Sequence, residues 1–118
     1  MDTRNKILTL AAARRLPPPV AIATGYFDVL RAEHARQLLA LKGQSTLLLL
    51  VLPLENALLD QRARAELAAA LRVVDYVVPA TREDLDALIQ SLRPAAVARL
   101  EEDDARRRRQ LIEHVQHR

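Results

Sequence analysis

Val20-Ala21-Ile22-Ala23-Thr24-Gly25-Tyr26-Phe27-Asp28 is the stretch on which the fold turns. An apolar run of strand length enters one of only two glycines in the chain, and a helix-period stretch follows from Glu33 to Lys42. A strand without polar alternation is buried on both faces, as in a parallel sheet covered by helices on either side. Glycine at its exit lets backbone N–H groups approach an anion, and the helix start beyond it adds partial positive charge. The spacing predicts a phosphate-binding turn at the carboxyl end of a central strand.

The pattern repeats on both sides of that turn. Upstream, Lys6 to Leu16 reads as a short helix stopped by Pro17-Pro18-Pro19. Downstream, the Glu33–Lys42 helix should turn Ala35, Leu38, Leu39 and Leu41 inward, with Gly43 as its C′ residue. Thr46 to Leu52 is a second buried strand ended by Pro53. A helix from Asp60 to Arg72 follows, with Ala65, Leu67, Ala68 and Leu71 as its apolar positions. Tyr76-Val77-Val78 is a third strand, closed by Pro79. Thr81 caps a helix from Arg82 to Leu92, with Asp84 at the spacing of a variant capping box. Ala95 to Arg99 is a weaker fourth strand, and a last helix should run from about Asp103 to Val115. Alternating strands and helices imply right-handed crossovers and an α/β, Rossmann-like three-layer sandwich whose parallel sheet has about four strands. Ligands of such sheets bind beyond the carboxyl ends of the strands, where the strand order reverses, which is where Gly25 lies.

At 118 residues the chain makes one domain. It divides into an N-terminal helix and proline linker (1–19), an α/β core (20–99) and a charged C-terminal helix and tail (100–118). Half the residues are apolar and only Tyr26, Phe27 and Tyr76 are aromatic, so aliphatic side chains must fill the core. The absence of cysteine removes disulfides, thiolate metal sites and a cysteine nucleophile together. The polar start is unlike a signal peptide, and the longest apolar stretch, Leu47 to Leu52, is strand-sized, so a cytoplasmic protein without a membrane span is expected. The net charge of +3 owes much to Arg106-Arg107-Arg108-Arg109, but Glu101-Glu102-Asp103-Asp104 precedes it. On a helix these acids and arginines pair at i,i+4, with the acid on the favourable N-terminal side. With no aromatic nearby to stack a base, the run reads as a solvated helix face and not as a nucleic-acid surface. The same acids could hold Mg²⁺, but first-turn acids of a helix explain them more simply. His114 and His117 lack further zinc ligands, and Ser45 and Ser91 lie in no nucleophile elbow.

Gly25-Tyr26-Phe27-Asp28-Val29-Leu30-Arg31-Ala32-Glu33-His34 resembles the Gly-x-Phe-Asp-x-x-His-x-Gly-His motif of the nucleotidyltransferase superfamily, in particular its cytidylyltransferase-like branch. Arg64-Ala65-Glu66-Leu67 and Leu71-Arg72-Val73-Val74-Asp75-Tyr76-Val77-Val78-Pro79 are similar to a later stretch of the same family. The likeness extends to Lys6-Ile7-Leu8 and to Leu88-Ile89 through Pro94, so it covers most of the chain. The resemblance implies transfer of CMP or AMP from CTP or ATP to a sugar phosphate or phosphorylated alcohol, with Mg²⁺, release of pyrophosphate and a homodimer. It further implies nucleotide contacts at Thr24, Gly25, Tyr26, Phe27, Asp28, Glu33 and Arg64, with Arg31 and His34 in the places of the two motif histidines.

The chain departs from the pattern where phosphate would be held. Arg31 replaces a histidine but remains a cation able to bind phosphate through its fork. Glu33 replaces the motif glycine and sets a carboxylate beside the nucleotide. The family's lysine-bearing loop after strand two is here Leu52 to Leu59, and its Lys-Gly-Gly-Asp stretch is Arg99-Leu100-Glu101-Glu102 with Asp103-Asp104 beyond. Two expectations follow: a transferase of weak or lost activity, or a non-catalytic dimerising or ligand-sensing module on the same scaffold. The divergent-transferase form would use Arg31, His34 and Arg62 or Arg64.

Overall fold

The chain steps outward across a parallel sheet and then returns, and the sheet order β3-β2-β1-β4 records that reversal. The structure is a computed structural model and describes residues 3–28 and 32–102. A 3₁₀ turn at Thr3–Lys6 precedes α1 (Leu10–Ala13), β1 (Val20–Gly25), α2 (Ala32–Lys42), β2 (Thr46–Val51), α3 (Gln61–Ala69), β3 (Tyr76–Pro79), α4 (Arg82–Leu92) and β4 (Ala96–Arg99). Each strand pair is parallel, with Val20 opposite Thr46, Leu48 opposite Tyr76, and Ala21 opposite Ala96. The fold is α/β and Rossmann-like, with helices on both faces of a four-stranded sheet.

Two cores, one on each face, hold the layers together. Ala21, Ala23, Leu47, Leu49, Val51 and Val77 point to one face and pack with Leu38 of α2 and Ala65, Ala68 and Ala69 of α3. Val20, Ile22, Leu48, Leu50 and Val78 point to the other and pack with Ala13 of α1 and Leu85 and Leu88 of α4. Right-handed crossovers demand this division, because α2 and α3 follow outward steps while α4 carries the chain back across the sheet.

Sequence patterning placed the strands and α4 closely. The capping box at Thr81 and Asp84 is formed, and Gly43 adopts φ +52 just past α2. Two expectations change. The helix expected over Lys6–Leu16 is instead the 3₁₀ turn and the four-residue α1, because Ile7 bridges Val77 and Leu8 N–H donates to the Val77 carbonyl at 2.8 Å. A segment whose amide pairs with a strand cannot also continue a helix. Leu39 and Leu67 face solvent, at 63% and 44% exposure. α2 turns His34 and Leu38 inward, and α3 turns Arg64, Ala65, Ala68 and Ala69 inward, each set following the i, i+3, i+4 row of one helical face. The expected C-terminal helix, the Arg106–Arg109 run, His114 and His117 lie outside the described residues, although residues 100–102 are already helical.

Candidate functional site

β1 and β4 are neighbours that leave the sheet's centre in opposite directions of chain order, so the crevice beyond their carboxyl ends is the switch point of this fold. Thr24 and Gly25 form its floor. Thr24 is 0% exposed and its hydroxyl donates to Glu101 Oε2 at 2.7 Å. Register accounts for the pair: Thr24 lies opposite Arg99, and Glu101 stands two residues further on. Glu101 is 2% exposed, and its Oε1 is buried without a hydrogen-bond partner. Among the described residues it pairs with Arg82, whose Nη1 stands 3.9 Å away, an ion-pair distance too long for a hydrogen bond.

Gly25 is needed for a reason the sequence did not reveal. A methyl group on its Cα would stand 3.2 Å from Cε2 and Cζ of Phe27 and 3.5 Å from Leu100 Cβ. The Phe27 ring thus folds back over the glycine, filling the position of a side chain. Phe27 adopts φ 53, a left-handed conformation rare for a bulky aromatic, and its ring is buried in the core shared with α2 and α3. Such a backbone costs on the order of 1–3 kcal/mol and persists only where its surroundings over-determine it. Here the buried ring supplies that constraint.

Arg64 braces the rim of the site from beneath. It is 2% exposed, and Nη1 donates to the carbonyls of Tyr26 and Leu52, both at 2.8 Å, while Nε donates to the Leu59 carbonyl at 3.2 Å. One planar guanidinium therefore ties the turn after β1 to the loop after β2. Arg64, for which the resemblance implied a nucleotide contact, is presented by α3 on its buried face, with Nε and Nη1 donating to backbone carbonyls. Arg62, on the outer face, pairs with Glu66 at 3.5 Å. Gln61 completes the brace, its amide donating to the carbonyls of Val51 and Ala80 at 2.8 and 3.2 Å.

The remaining sequence candidates gather at the same end of β1. His34 is 5% exposed in the first described turn of α2, and Glu33 beside it is half-buried. Tyr26 and Asp28 are half-buried in the turn itself, whereas Arg31 lies outside the described residues. Among the described residues no group of three His, Cys, Asp or Glu side chains is placed to hold a metal ion. Among the same residues no helix is long and apolar enough to cross a membrane. Glu101 and Arg82 are the site residues that pattern reading missed as a pair. Glu101 looked like one of several helix-start acids, and nothing local in the sequence marks Arg82 as reaching across the strand ends.

No family model and no curated protein matches this chain. Among solved structures it is similar to the lipopolysaccharide core biosynthesis protein from Thermoplasma volcanium GSS1, with 23% identity, 66% of this chain and 70% of that chain covered, and a TM-score of 0.59. At that identity the likeness establishes the shared Rossmann-like fold.

Proposed function

We propose that this chain is a nucleotidyltransferase-like protein that binds a nucleotide, CTP or ATP, in the crevice beyond β1, with weak or lost transferase activity. The observation that carries the reading is the seating of Gly25-Tyr26-Phe27-Asp28 at the carboxyl end of β1, beside β4, with His34 buried early in α2. In a working member, a reaction at the α-phosphate would rest on positioning and on cations facing the developing charge. Here His34 and Arg31 are the residues available for that role, and Mg²⁺ would enter with the nucleotide, held chiefly by its phosphates.

Three features argue for reduced chemistry. The Phe27 ring and Leu100 occupy the approach to Gly25 on the α2 side. Glu33 adds a carboxylate, and one carboxylate within about 4 Å of a phosphate charge costs roughly 1–4 kcal/mol for effective dielectrics between 80 and 20. Glu101 buries a second carboxylate at the floor. Calorimetric titration of CTP and ATP with Mg²⁺ tests the reading. Micromolar binding that weakens about tenfold or more in His34→Ala supports it, whereas no binding below millimolar concentration removes it.

A second reading, a dimerising interaction module, has one observation in its favour: Leu39 on α2 and Leu67 on α3 are exposed on the same layer. A solution mass twice that of the chain, reverting to monomer in Leu39→Lys, would support it.

A further inference from the structure

β4 passes straight into a helical turn at residue 100, and the first two residues of that turn close over both faces of the β1 exit. Side chains alternate along a strand, so Gly25 belongs with Ala21 and Ala23 on the α2–α3 face, and Thr24 with Val20 and Ile22 on the α4 face. Leu100 meets the first of these. It is 6% exposed, and its Cβ would lie 3.5 Å from a methyl group on Gly25. Glu101 meets the second, its Oε2 accepting from the Thr24 hydroxyl at 2.7 Å. An apolar side chain and a carboxylate thus fill the place beyond the strand end where ligands of this fold bind.

The two contacts are unequal. Leu100 joins the core shared with α2 and α3. Glu101 is only half satisfied: Oε1 is buried with no hydrogen bond among the described residues, and Arg82 Nη1 stands 3.9 Å away. A carboxylate oxygen in that state forgoes hydration that it would recover in water, so its burial works against itself. A hydroxyl donor and a guanidinium are also groups that hold anions in general, and an incoming phosphate would claim both. A second anion within about 4 Å of a buried carboxylate loses about tenfold or more in affinity, so the two exclude each other. We propose that Leu100 and Glu101 form an autoinhibitory plug, the chain's own carboxylate standing where an anionic ligand would, so that a phosphate-bearing ligand enters only as Glu101 leaves. The inference rests on the reading that the crevice beyond β1 is the nucleotide site, and adds a built-in competitor to it. Plug and ligand are then reciprocally linked: loosening the plug strengthens binding, and binding drives the plug into solvent.

Calorimetry on the full chain tests it, with CTP and ATP in the presence of Mg²⁺ and with pyrophosphate as separate probes, in the wild type and in Glu101→Ala. The variant should bind pyrophosphate and the nucleotide about tenfold or more tighter than the wild type. Hydrogen exchange of wild-type amides in residues 96–102, with and without saturating probe, supplies a second readout. A ligand resting on a closed surface slows exchange beneath it, whereas ejection of Glu101 should speed exchange there at least about threefold. Unchanged or weaker binding in Glu101→Ala, slower exchange of that stretch on binding, or no binding of any probe by either protein would each overturn the proposal. Should Glu101→Ala not fold, Leu100→Ala takes its place, loosening the same turn from the opposite face with an expected gain of about threefold. The two claims separate cleanly. Pyrophosphate binding that tightens in Glu101→Ala, without binding of CTP or ATP, removes the nucleotide reading and leaves the plug. CTP or ATP bound equally by both proteins removes the plug and leaves the nucleotide reading.

Discussion

Arg64 shows most clearly what burial makes of a charged side chain, a brace between two loops. Replacing it with methionine keeps the length of the side chain but strands the carbonyls of Tyr26, Leu52 and Leu59. We expect Arg64→Met to lower stability by about 3 kcal/mol in urea denaturation, since buried acceptors lose a charged donor. Arg64→Lys should recover little of it, because a single ammonium cannot span carbonyls on separate loops as a planar fork does. Gly25 is legible as a special position from its place after a strand, but the reason is not: the cause is a ring two residues on, folded back by a left-handed backbone. Gly25→Ala should cost about 1–2 kcal/mol through overpacking. In Phe27→Leu the crowding atoms are gone, so the double variant should cost less than the sum of the single ones, a coupling that a thermodynamic cycle measures.

Elements were read from the sequence about as well as their own residues determine them. β1 and β2 are unbroken apolar runs that no other packing would bury, and α4 carries its own start signal in Thr81 and Asp84. Thr81→Ala removes the hydroxyl that accepts from the Asp84 amide at 3.1 Å, and the melting curve should report a loss of about 1 kcal/mol. Where a distant element decides, local pattern fails. Residues 7 and 8 have helix-compatible side chains, yet a strand far along the chain claims their backbone. The facing of α3 is a similar case. Leucine at position 67 argued for one orientation, but alanines at 65, 68 and 69 let the helix lie close on the sheet, and that rotation carries Arg64 inside. The candidate site suffers most from this limit, because Thr24, Glu101 and Arg82 meet only once β1, β4 and α4 are assembled.

At the scale of the molecule, protection should follow position in the sheet. β2 is flanked by β1 and β3, and Leu47 to Val51 are all fully buried, whereas among the described residues β4 pairs with β1 alone and alternates between half-buried and exposed. Hydrogen exchange should therefore find the β2 amides opening only with global unfolding and the β4 amides exchanging at least about tenfold faster. On the opposite flank the short pairing of Ile7 and Leu8 with Val77 has an effect out of proportion to its size. It covers the outer margin of β3, which would otherwise offer its backbone to any passing chain. Deleting residues 1–8 should leave the core intact yet promote aggregation through the uncovered β3 edge, visible as rising light scattering at temperatures where the full chain stays clear.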